Sequence, residues 1–112
     1  ARSTTPDLVR EREGERLQAV LPPAARVVAC DPAGAGMTSE AFSAWLQAER
    51  EAARDIAFVI GGAYGLASSL RANAAKKLLL APWTLPHELA RLVLAEQLYR
   101  AGTIVRGEPY HK

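Results

Sequence analysis

A chain of 112 residues, 49% apolar and 23% charged, reads as one domain spanning residues 1–112 with a single core. Its longest uncharged stretch, Ile56–Leu70, is too short to cross a bilayer, the polar start "ARSTTPDLVRERE" carries no secretory signal, and a lone cysteine, Cys30, excludes an internal disulfide, so a reducing cytoplasm is expected. The net charge of +2 is unevenly spread: residues 1–56 carry 7 Lys/Arg against 9 Asp/Glu and residues 57–112 carry 7 against 3, which favours an anionic partner for the second half.

The first segment, "TTPDLVREREGERLQAVLP", predicts an exposed helix with Thr5 as N-cap and Pro6 at the first helical position, stopped by Pro22 and Pro23. "RVVAC" (26–30) is short and β-branched and predicts a strand running into the loop "DPAGAG". Next, "TSEAFSAWLQAEREAA" predicts a helix capped by Thr38 or Ser39, with Phe42, Trp45 and Leu46 on one face. "DIAFVIGG" (55–62) is apolar on both faces, as expected of a central strand in a covered parallel sheet. A short helix over 68–75 leads to a third strand, "KLLLA" (77–81). The last helix starts at Pro86 and is expected to stop at Gly102, with Glu96 and Arg100 paired one turn apart. It is too apolar for one buried stripe, so a second face should be covered, by another subunit. The tail from Thr103 has no helical period and is expected to order only on docking. Alternating helices and strands give an α/β fold with a mainly parallel sheet and helices on both faces.

In such sheets ligands bind off the carboxyl ends of the strands. Three loops belong there: Asp31–Gly36, Gly61–Leu66 and Ala81–Pro86. Two adjacent glycines where an apolar strand should turn into a helix call for a positive φ or for something packed on the backbone. The loop "APWTLP" is stiffened by two prolines and suits reading the edge of a purine. Pattern alone leaves a tight strand-to-helix turn equally open, since "IGGAYG" is neither a P-loop nor a dinucleotide fingerprint.

Three motifs in order, "FVIGGAYGL", "TLPHELARLVLAEQLYRA" and "PYHK", resemble the RlmH family (ribosomal RNA large subunit methyltransferase H) of the SPOUT superfamily. The resemblance runs from about Pro6 to Lys112 and is densest after Ile60. It implies a C-terminal trefoil knot, a homodimer, S-adenosylmethionine as cofactor, and methylation of N3 of a pseudouridine in 23S rRNA of the assembled ribosome. By position it implies cofactor contacts at Cys30, Gly62, Ala81, Pro82, Trp83, Thr84, Leu85 and Pro86. Cys30 stands where the family has leucine, and the family's opening strand and helix have no counterpart, so the chain reads as a shortened or trimmed member.

Among residues that carry chemistry, Tyr110 and His111 are expected to act on the target base, His111 as a base or hydrogen-bonding group and Tyr110 orienting it. Arg91, Arg106 and Lys112 are candidate phosphate contacts, although Arg91 can instead pair with Glu88. His87 is expected to cap or pack in neutral form, Trp83 to supply an apolar wall, and Tyr99 and Arg100 to be structural. Two histidines and one cysteine offer no metal site. Two other classes share these features: a nucleotide-binding module without transferase activity, and an inactive dimer that only binds RNA.

Overall fold

The computed structural model describes residues 5–22, 24–61 and 66–108. Seven elements follow in order: α1 (Pro6–Val20), β1 (Arg26–Ala35), α2 (Ser39–Glu51), β2 (Ile56–Ile60), α3 (Ser68–Asn73), β3 (Lys76–Leu78) and α4 (His87–Arg106). The strands form one parallel sheet in the order β2-β1-β3. The chain therefore steps from β1 to β2 on one side and crosses back over β1 to reach β3. Right-handed crossovers in opposite directions must use opposite faces, which places α2 and α3 on different sides of the sheet.

The strand period sorts the core accordingly. Ala29 and Val59, joined by Val27, face a cluster with Leu66, Ala67 and Leu70, sealed by Leu17 of α1 and Leu21, its C-cap. Val28, Ile56 and Phe58 face the other way, onto Phe42, Trp45, Leu46, Leu78 and Ala101. There Phe42 stacks on Trp45 with centroids 6.4 Å apart and meets Phe58 edge-on at 6.1 Å.

Both expected caps form. Thr5 accepts from the amide of Leu8 and Thr38, rather than Ser39, from that of Ala41. The exposed character of α1 holds along most of its length, but Gly14 is buried: a Cβ there would sit 2.8 Å from that of Ala67. Gly14, Leu17 and Leu21 thus make a narrow stripe that seats α1 beside α3.

Several boundaries differ from expectation. The stretch Asp31–Ala35 is not a free loop but the continuation of β1, because both Cys30 and Ala35 register with Leu78 and the chain between them bulges against β3. The bulge depends on Gly34, whose Cβ would lie 2.7 Å from the Lys77 carbonyl carbon and 2.8 Å from the Leu78 nitrogen. The centre of the sheet is β1, and β2 lies on its flank; an apolar run cannot distinguish a central strand from an edge covered by helices on both faces. β3 has three residues, since after Leu78 only the Leu79 amide continues the pairing, to the Ala35 carbonyl.

The largest difference is in α4, which passes through Gly102 and ends at Gly107, whose φ of 73° supplies the left-handed C-cap. The supposedly unstructured start of the tail is helix. Thr103 is fully buried and its hydroxyl donates to the Arg100 carbonyl at 2.7 Å, while Ser43 Oγ donates to the Ala101 carbonyl at 3.1 Å. The Ser43 bond docks the end of α4 on α2, and this burial outweighs the cost of one helical glycine. Among the described residues α4 is covered on one side only: Ala90, Leu94, Ala101 and Thr103 are buried, while Leu89, Leu92, Leu98, Tyr99 and Val105 are exposed. The expected Glu96–Arg100 pair is present at 2.7 Å. At the amino-terminal end of the sheet, the buried Glu49 carboxylate holds Arg26 at 2.7 Å and Arg54 at 3.2 Å, tying α2 to β1 and to the turn before β2.

Candidate functional site

Parallel register brings the candidate loops together at one edge. Cys30 pairs with Ile60 on one side and Leu78 on the other, so the glycine loop and the Leu79–Pro86 segment leave the sheet on either flank of Cys30. Cys30 is buried, and burial pushes its thiol up to about 11. It presents a neutral, small, apolar surface at physiological pH. From an ordinary 9.0, the stability that goes with a neutral thiol is intact below about pH 9 and lost as pH rises toward 11. A maleimide or haloacetamide near neutral pH is therefore expected to leave the folded protein unlabelled while labelling it fully in urea. Equal rates in both would show an open thiol.

A clasp joins the two flanks. The ring Nδ1 of His87, first residue of α4, lies 2.9 Å from the carbonyl oxygen of Gly61. A carbonyl only accepts, so Nδ1 must carry the hydrogen. His87 thus has the packing role expected of it, and fixes the start of α4 against the end of β2. Between them, Ala81 and Leu85 are half-buried, while Pro82, Trp83, Thr84 and Pro86 are exposed, Trp83 to 80%. Trp83 offers its face to solvent rather than to the core. Among the described residues, the amides of Trp83, Thr84 and Leu85 have no backbone partner, and Pro86, as N-cap, adds no side-chain bond to the first turn of α4. Among the described residues, the segment thus combines amides without a backbone partner, an exposed aromatic face and a backbone stiffened by prolines.

The other candidates are scattered. Gly62, Tyr110, His111 and Lys112 lie outside the described residues. Arg91 is exposed on α4 and pairs with Glu88 at 3.2 Å, the alternative open to it in the sequence. Arg106 is bound through Nε and Nη2 to Glu108, each at 3.0 Å, which raises the guanidinium's affinity for its proton and lowers that of the carboxylate. Fifteen residues of helix separate Arg91 from Arg106, roughly 22 Å, so one chain does not gather them at one point.

Sequence reasoning missed a charged pair beside Cys30. Asp31 is buried, accepts from the Ala33 amide at 3.0 Å and holds Arg71 of α3, with Nε 2.6 Å from Oδ2. The contact is a close ion pair rather than a well-aligned hydrogen bond. With Arg10, Cys30, Pro32, Leu66 and Ser68 they line a cavity of about 160 Å³ that excludes the Ala81–Pro86 segment. The available signal was a carboxylate closing an apolar strand, which reads equally as a turn former. Among the described residues, no helix is long and apolar enough to cross a membrane, and no group of His, Cys, Asp and Glu is placed to hold a metal.

A parallel α/β domain whose strand ends at Cys30, Ile60 and Leu78 lie side by side has the layout of the class that binds ligands beyond the carboxyl ends of its strands. The particular family is given by comparison with known proteins. The family described as "Predicted SPOUT methyltransferase" matches residues 1–111, and the chain belongs to it. A protein of Gemmatimonas aurantiaca named ribosomal RNA large subunit methyltransferase H is 65% identical over 111 residues, 99% of this chain and 72% of the relative. Proteins of the same name are 52% identical in an Anaeromyxobacter species, over 92% of this chain and 67% of the relative, and 47% identical in Geotalea daltonii, over 94% and 69%. The methyltransferase class read from the three motifs is borne out, as is an α/β fold built on a parallel sheet.

Proposed function

We propose that the chain transfers a methyl group from S-adenosylmethionine to N3 of a pseudouridine in 23S rRNA of the large ribosomal subunit. The observation that carries this reading is the 65% identity to a protein named for methylating large-subunit rRNA, sustained over 99% of the chain. The C-terminal segments would thread into a trefoil knot around the cofactor, an exception to the general avoidance of knots. Bound S-adenosylmethionine supplies a methyl group already activated by its sulfonium. The chain's residues then have three tasks. Cys30 and Gly62 line one wall; Ala81, Pro82, Trp83, Thr84, Leu85 and Pro86 line the other with fixed amides and an aromatic face. His111 takes the N3 proton or holds the base, with Tyr110 orienting it, while Arg91, Arg106 and Lys112 contact phosphates.

Reach argues that the working unit is a homodimer. Helix α4 starts at the His87 clasp and runs 20 residues, about 30 Å. The five residues from Arg106 to His111 can span at most about 17 Å when extended, roughly 10 Å less than the length of α4 back to the clasp. A two-fold partner packed on the exposed apolar side of α4 would bring each tail to the other chain's cofactor.

The test is incorporation of labelled methyl from S-adenosylmethionine into large subunits that lack this modification, followed by mapping of the methylated base. Transfer to N3 of a pseudouridine is the expected result. Cofactor binding with no transfer would leave only a binding module.

A further inference from the structure

We infer that Arg71, aimed by Asp31 and flanked by Arg10 and Ser68, is a binding site for a backbone phosphate of the RNA substrate. This rests on the methyltransferase reading above and adds a contact on the α1 and α3 side of Cys30. The cavity these residues line, about 160 Å³, is well below the roughly 300–1,000 Å³ of pockets that enclose a whole ligand. It therefore suits one group of a larger molecule.

Charge decides which group. Arg71, Arg10 and the Ser68 hydroxyl surround the opening, Arg10 already engaged by a partner of its own, and the one carboxylate among the described lining residues, Asp31, is turned inward: its side chain is 7% exposed, with Oδ1 on the Ala33 amide and Oδ2 on Arg71. Asp31 engages Arg71 at Nε, the inner edge of the guanidinium, while the side chain remains 40% exposed. That leaves the terminal nitrogens for a ligand, the fork that matches a phosphate. The other candidates differ. Arg100 and Arg106 each spend a terminal nitrogen as well as Nε on a carboxylate, and Arg91 spends a terminal nitrogen on Glu88. Asp31 thus fixes the guanidinium by its inner edge and leaves the outer fork exposed, whereas the other candidates' pairs occupy a terminal nitrogen.

A carboxylate at the far end of the cofactor has the same oxyanion chemistry, and the test separates the two. Methyl transfer to unmodified large subunits is measured for the parent chain, Arg71→Met and Arg71→Lys, with S-adenosylhomocysteine affinity measured alongside. For Arg71→Met the expected result is about a tenfold loss in kcat/KM for subunits, carried by KM. The salt dependence of binding should fall by about one unit of log–log slope, and S-adenosylhomocysteine affinity should stay within about twofold. Arg71→Lys should recover part of the loss. Ser68→Asp, which places a negative charge at the opening without touching the ion pair, should reproduce the loss if Arg71→Met fails to fold. Unchanged KM in folded Arg71→Met, or loss of S-adenosylhomocysteine affinity with unchanged RNA binding, would overturn the assignment. A parent chain that transfers no methyl at all would instead refute the function on which it rests.

Discussion

Gly34→Ala is expected to cost about 3 kcal/mol or more, lowering the melting temperature by roughly 10–20 °C. The added Cβ would fall 2.7–2.8 Å from the backbone of Lys77 and Leu78, atoms that cannot rotate aside as a flexible side chain would. Only three residues of β3 are paired, and displacing them frees the strand along with the Leu79–Pro86 segment beyond it. Gly36→Ala is the matched control. Its Cβ would first meet Leu79 Cδ2 at 4.0 Å, an ordinary contact, so thermal stability should be nearly unchanged. Equal melting temperatures for the two variants would show that the bulge of β1 does not press on β3.

The second large effect concerns catalysis. His111→Ala is expected to lower methyl transfer about 10²-fold or more while cofactor affinity persists, and Gly62→Val to abolish cofactor binding. If each tail serves the other chain, mixing the two inactive proteins and allowing exchange should restore activity. A mixed dimer has one site with an intact glycine loop and an intact tail, so about a quarter of the parent activity is expected at full exchange. No recovery between variants shown to exchange would place His111 on its own chain's cofactor and refute the reach argument.

Local rules read the chain well wherever the decisive atoms were close in sequence. Thr5 and Thr38 cap by bonds to amides three residues away, and Phe42, Trp45 and Leu46 share a face because helical geometry leaves no alternative. The misread boundaries depended on partners far away. β1 continues past Cys30 because β3, more than forty residues later, lies against Gly34. α4 continues past Gly102 because Ser43 of α2 waits for the Ala101 carbonyl, 58 residues away. A glycine reads as a stop when its surroundings are unknown; here Gly107 is the stop and the helix runs through Gly102. The site follows the same division. Its glycine and proline loops were legible as motifs, whereas Asp31 and Arg71 meet only through the β2-α3 crossover, which no spacing announces.

The His87–Gly61 clasp bears on how a pH–rate profile must be read. The bonding nitrogen, Nδ1, carries hydrogen in both the neutral and the charged ring, so acid adds its proton at Nε2 and leaves the clasp closed. The chain has two histidines, His87 in the clasp and His111. Under the role proposed for His111 at the reacting base, an activity limb between about pH 5 and 8, the interval in which imidazole changes charge, is the expected signature of that residue.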